Sequence, residues 1–147
     1  MPGVEPPKAP KAPKGREVVG VEARPELLEE ELTGAIRQTG YDVHRYFGNG
    51  FLEKVYENAL AHRLRKKGYD VQQQFRLKVH DEDGTVVGDY SPDLLVVGRI
   101  IVEVKASHAL ADEDTAQLLN YLKATRLRVG LLVNFGARRF RCRRFVL

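Results

Sequence analysis

The chain predicts an α/β sandwich with a mixed sheet, and three observations carry that expectation. Three stretches place apolar residues at helical spacing, five others read as strands, and their order is helix, helix, three strands, helix, two strands. Two neighbouring strands are apolar on both faces, as in the covered middle of a sheet. A length of 147 residues suffices for one domain with a layered core and falls short of two domains with linkers.

Residues 1–20 read as a disordered tail and residues 21–147 as the domain. Met1 to Arg16 hold five of the seven prolines and a repeated Lys-Ala-Pro, with little to bury, which suits a spacer or a weak basic tether. From Pro25, the spacing of Leu28, Leu32, Ala35 or Ile36, Thr39, Val43 and Phe47 predicts an amphipathic helix that stops before Gly48-Asn49-Gly50. Phe51, Val55, Tyr56, Ala59, Leu60 and Leu64 predict the buried stripe of a second helix, ended by Gly68. Val71 to Val79 alternate apolar and polar residues, the period-two pattern of a strand with one wet face, and Asp83-Gly84 makes the next turn.

Val86 to Val97 and Ile100 to Ala106 read as central strands joined near Gly98-Arg99. Asp112, Glu113 and Asp114 suit a helix N-terminus, and the helix running to Thr125 turns Ala116, Leu119, Leu122 and Tyr121 inward. Val129 to Phe135 form another buried strand, Gly136 turns the chain, and Phe140 to Leu147 return as a basic strand.

No apolar run approaches the roughly 18 residues of a membrane span, and no secretory stretch opens the chain. The single cysteine, Cys142, closes no intrachain disulfide and supplies no thiolate zinc cage, so a reducing cytoplasm is the expected compartment. His44, His62, His80 and His108 show no metal-ligand spacing, and Asp81-Glu82-Asp83 reads as a solvated turn. The formal charge is +4, and Asp114 is the last acid. Beyond it come Lys123, Arg126, Arg128, Arg138, Arg139, Arg141, Arg143 and Arg144. A field of one sign attracts phosphate backbones, and it equally suits an edge strand that resists pairing with another.

The chemistry centres on Ile100 to Ala106, where Glu103 and Lys105 interrupt an apolar strand. Spaced by two, they project from one face while Val102, Val104 and Ala106 pack on the other. Desolvating either charge costs several kcal/mol without a compensating group, and Asp93 at the start of Leu94 to Val97 is the nearest further acid. Two converging carboxylates repel, and a hard cation such as Mg²⁺ relieves the repulsion. A strict two-residue hairpin at Gly98-Arg99 would turn Asp93 to the wrong face, so a shared site requires an odd-length loop or a bulge, and Pro92 favours such irregularity.

Pro92-Asp93 followed by Glu103-Val104-Lys105 resembles the signature of the PD-(D/E)XK nucleases. Gly50-Phe51-Leu52-Glu53-Lys54-Val55-Tyr56 resembles the GxxExxY pattern of a small family within them, and Gln117-Leu118-Leu119-Asn120-Tyr121 resembles its RecB-like QxxxY helix. Gly130 to Gly136 fit as well, so the resemblance runs from about Leu32 to the C-terminus. It implies a restriction-endonuclease-like three-layer sandwich, with a mixed central sheet flanked by helices, and a metal-dependent nuclease acting on DNA.

Carried over by position, the resemblance implies that Asp93 and Glu103 bind Mg²⁺ or Mn²⁺, with the Val104 carbonyl and Glu53 as further ligands. Lys105 would orient the attacking water, and Gln117 would border the site. Tyr121, Lys123, Arg139, Arg141 and Arg143 would meet the nucleic acid. The competing readings are an internal Glu103–Lys105 ion pair, a Glu53 placed by the helix dipole, and Gln117 and Tyr121 as a surface polar group and a core aromatic. In function, the alternative is a non-catalytic nucleic-acid-binding or partner-binding module that keeps the fold. A homodimer and a subunit of a larger repair or defence assembly are both open.

Overall fold

The computed structural model describes residues 29–147. The tail expected over residues 1–20 and the start of the first helix at Pro25 lie outside the described residues. The elements are α1 (Glu30–Phe47), α2 (Glu53–Lys66), β1 (Val71–Gln73), β2 (Leu77–His80), β3 (Val86–Tyr90), β4 (Leu94–Val96), β5 (Ile100–Lys105), α3 (Asp112–Thr125), β6 (Val129–Asn134) and β7 (Arg141–Val146). No helix among the described residues is long and apolar enough to cross a membrane.

A five-stranded sheet runs in the order β1-β4-β5-β6-β7, and β2 and β3 form a separate hairpin. β5 and β6 are parallel, and every other pair in the large sheet is antiparallel. The sheet is therefore mixed, as expected. β5 and β6 need a crossover, and α3 supplies it.

The residues of β5 divide between two cores according to the strand period. Ile100, Val102 and Val104 pack with Leu94, Val96 and the apolar faces of α1 and α2. Ile101 packs on the other face with Leu95, Leu132 and the α3 residues Leu118 and Leu122. Leu77 and Val79 of β2 cover the same side, so the β2–β3 hairpin shares a layer with α3.

Several expectations are corrected. The alternating run from Val71 to Val79 is two strands in two sheets, because Gln74 takes a left-handed backbone (φ 55°) and Phe75 leaves the core, 42% exposed. The Gln74 backbone amide donates to the Asp93 carbonyl at 3.1 Å. Val86 to Val97 is likewise broken at Ser91-Pro92-Asp93, where Pro92 has no N–H to extend a ladder. Val86 and Val87 are exposed and belong to the hairpin, so only β4 of this run is central. Phe51 precedes α2 and is exposed, outside the buried stripe. In α3 Ala116 is exposed and Leu118 takes its place inward. The sheet explains the rotation: Gly130 of β6 lies beneath the helix, and a Cβ there would meet the methyls of Leu118 and Leu122 at 3.0 and 3.2 Å.

Behind β6, Gly136 passes so close to the backbone of Ala106 and Ser107 that a Cβ has no room. Gly136→Ala is therefore expected to lower unfolding free energy by about 2 kcal/mol or more. Gly34, inside α1 with open space around it, gives the contrast. Gly34→Ala should stabilise by up to about 1 kcal/mol. Urea midpoints of the two variants against the parent check both signs.

Candidate active site

The site forms where the β4–β5 turn sets the strand register. Val96 pairs with Ile100 and Leu94 with Val102, leaving the three residues Val97-Gly98-Arg99 in the loop. The odd loop length places Asp93 across from Glu103 on one face of the sheet. Val97 and Gly98 both adopt left-handed backbone (φ 55° and 67°), and the Arg99 amide donates back to the Val96 carbonyl at 3.1 Å.

Past Leu94 the ladder ends, and a side chain continues it. The Val104 amide donates to Asp93 Oδ2 at 2.7 Å. A strand residue directs its N–H and C=O to the same side, so the Val104 carbonyl also faces the Asp93 edge. The second Asp93 oxygen, Oδ1, accepts from Gln74 Nε2 at 3.1 Å. That same amide nitrogen donates to Glu57 Oε1 at 2.8 Å, which ties α2 to the pair of strands. Glu57 is buried, and its other oxygen accepts from Lys54 Nζ at 2.8 Å and Gln73 Nε2 at 2.7 Å.

On the α3 side the half-buried Glu103 accepts a hydrogen bond from the Tyr90 hydroxyl. The Tyr90 ring stacks on Tyr121 with 3.5 Å between centroids, and Gln117 Nε2 donates to the Tyr121 hydroxyl at 3.3 Å. Lys105 is half-buried and sits 3.7 Å from Asp114 Oδ1. Asp114 Oδ2 meanwhile accepts from the Ala111 amide at 3.0 Å, capping the start of α3.

Burial raises the Glu103 carboxyl from 4.5 to about 8, with the nearby Asp93 charge acting in the same direction and Tyr90 and Lys105 opposing it. Burial and then the Glu103 charge hold the Tyr90 phenol far above its ordinary range. Among the described residues no set of three or more His, Cys, Asp or Glu side chains is arranged to hold a metal ion. The local chemistry nevertheless fits a hard cation. The donors are all oxygens, and the Asp93 charge adds to burial in raising Glu103, a repulsion that a cation between the two carboxyls relieves. Mg²⁺ commonly takes one or two carboxylates and completes its shell from water and substrate phosphate.

Asp93, Glu103, Val104 and Lys105 thus stand together, with Gln117 and Tyr121 linked to Glu103 through Tyr90. Glu53 does not join them: it is exposed in the first turn of α2 and makes no polar contact with the cluster. The α2 acid tied to Asp93 is Glu57, one turn further along the same helix face. Its signal in the sequence is an acid beside Tyr56 on the stripe that continues to Leu60 and Leu64. Tyr90 and Gln74 were equally absent from the expected set; Tyr90 stands three residues before Asp93.

Lys123, Arg139, Arg141 and Arg143 are exposed. They do not form one track. Arg139 and Arg141 line a cavity of about 450 Å³ with Tyr41, Arg45 and Arg138 beside α1, whereas Arg143 turns to α3, 3.4 Å from Thr115 Oγ1.

A mixed sheet flanked by helices, with paired acids and a lysine at the end of its central strand, defines the restriction-endonuclease-like class. Residues 30–145 match the family model of the PD-(D/E)XK nuclease superfamily, and the chain belongs to it. No curated protein and no solved structure matches the chain.

The Glu103 shift fixes a pH dependence. A carboxyl raised on folding favours the folded state while protonated, so its contribution is complete below about 4.5 and is lost as pH rises through about 8. In a chelating buffer the melting temperature should fall across that window. Glu103→Gln, which stays neutral and still accepts from Tyr90, should flatten the fall by several degrees at its upper end. An unchanged profile in the variant contradicts the assignment.

Proposed function

We propose that the protein is a metal-dependent nuclease that hydrolyses phosphodiester bonds in DNA, within the GxxExxY group of its superfamily. The observation that carries the reading is the three-residue β4–β5 loop, which brings Asp93 opposite Glu103 with Lys105 on the same face. The patterns from Gly50 to Tyr56 and Gln117 to Tyr121 support the group. Asp93, Glu103 and the Val104 carbonyl would hold Mg²⁺ or Mn²⁺, and Glu53, nearest to solvent, would reach it only through water. Bound there, the cation supplies Lewis-acid stabilisation of the scissile phosphate.

The chain's own residues supply the rest. Glu57 holds Asp93 in place through Gln74. Asp114 holds the Lys105 ammonium beside the carboxyl pair, where it orients the attacking water and offsets charge growing on the phosphate oxygens. Gln117 and Tyr121 border the substrate path with Lys123 and Arg143 on the α3 side, while Arg139 and Arg141, beside α1, would hold a separate stretch of the backbone. Half-buried Cys142 suits a reducing cytoplasm. Cutting both strands needs two such sites, which a homodimer or a repair or defence assembly would bring together.

A second reading, a binding module without turnover, draws on the Tyr90 hydroxyl that already occupies Glu103 and on the lack of a three-acid set among the described residues. One experiment separates them. With Mg²⁺ or Mn²⁺, the parent should cut labelled single- or double-stranded DNA, and Asp93→Ala and Lys105→Ala should each slow cleavage about 100-fold or more. If the parent cuts no DNA or RNA, gains no thermal stability from Mg²⁺, and binds DNA with a steep salt dependence, the binding module is the function.

A further inference from the structure

At the start of α2, the helix that carries Glu57, the chain exposes an apolar tip: Phe51 is 48% and Leu52 80% exposed. We propose that this tip is a stacking wedge for unpaired bases, so that the substrate is single-stranded or locally opened nucleic acid. The proposal rests on the nuclease reading and adds a substrate class to it.

The tip is rigid and tied to the site. The Phe51 amide donates to the Tyr56 hydroxyl at 3.1 Å, and that hydroxyl donates to the Gly48 carbonyl at 2.6 Å. The Phe51 ring meets Phe47 and Tyr56 edge-on, with centroids 5.7 and 6.1 Å away. Tyr56 is fully buried and stacks on Phe135, whose amide bonds the Lys105 carbonyl at 2.9 Å. One continuous brace therefore joins the tip to the strand that carries Lys105. Such preorganisation lowers the ordering cost of binding.

Position and chemistry favour bases. Leu52 caps α2, and Glu57, tied to Asp93, lies five residues on, about 8 Å along the helix axis. That span is close to two stacked nucleotide steps of about 3.4 Å each. Glu53, exposed directly after Leu52, disfavours phosphate at the tip itself, and the Lys54 ammonium one residue further is paired with Glu57 at 2.8 Å. A π-face and an aliphatic side chain accept any base. The two side chains offer on the order of 300 Å², well below the 800 Å² or so per partner of a stable protein interface.

The test uses the full chain in EDTA, with a single strand carrying 2-aminopurine and a blunt duplex of the same sequence as probes. Leu52→Ser alters no packing in the brace, and Phe51→Ala removes the ring. Each should weaken single-strand binding about tenfold and leave duplex binding within about twofold, and Phe51→Ala should also abolish the 2-aminopurine quench seen with the parent. The wedge is overturned, with the nuclease reading intact, if both variants bind the single strand like the parent, lose both probes equally, or change the oligomeric state on a sizing column. A parent that binds neither probe also overturns the wedge, while the nuclease reading stands or falls separately on cleavage with Mg²⁺ or Mn²⁺.

Discussion

The register of β4 against β5 is the constraint on which the site depends. With one residue fewer in the loop, Asp93 would turn to the aliphatic core beneath α1 and α2, where a carboxylate finds no partner. The loop that prevents this carries a β-branched residue, Val97, in left-handed backbone, a conformation costing about 1–2 kcal/mol. The surroundings hold it there. Val97 is buried in the core, and its amide donates to the Asp70 carbonyl at 2.8 Å.

β4 is only three residues long, and its brevity has a chemical result. Where the ladder stops, the Val104 N–H is left to the Asp93 carboxylate, so a backbone dipole holds a side chain in place at the sheet's end. The two layers also meet there. Glu57 reaches in from the helix layer through Gln74, and Tyr90 with Tyr121 closes over Glu103 from the other. Burial between them, with the Asp93 charge adding to it and Tyr90 and Lys105 opposing, holds the Glu103 proton far above the usual range.

The helices were readable because a 3.6-residue apolar period has one structural meaning, and Asp93, Glu103 and Lys105 because charge within an apolar strand is expensive. The strand breaks were hidden for a physical reason. β1 and β2 keep the same period on either side of Gln74, although one belongs to the central sheet and the other to the hairpin. No residue type announces the left-handed Val97, so Gly98-Arg99 resembles a two-residue turn and the loop length stays ambiguous. Glu57 reads as one more polar residue among Lys54, Asn58 and their neighbours until β1 brings Gln73 against it. The Tyr90–Tyr121 stack joins residues far apart in the chain, which local pattern cannot convey.

Asp114 divides its two oxygens between tasks of different kinds. One marks where a helix begins; the other sets where an ammonium rests. Sliding α3 by a single residue would carry the lysine's anchor around the helix by about 100°, away from the sheet. Secondary-structure nucleation and reaction geometry are thereby written into one carboxylate, and drift at this position is limited twice over.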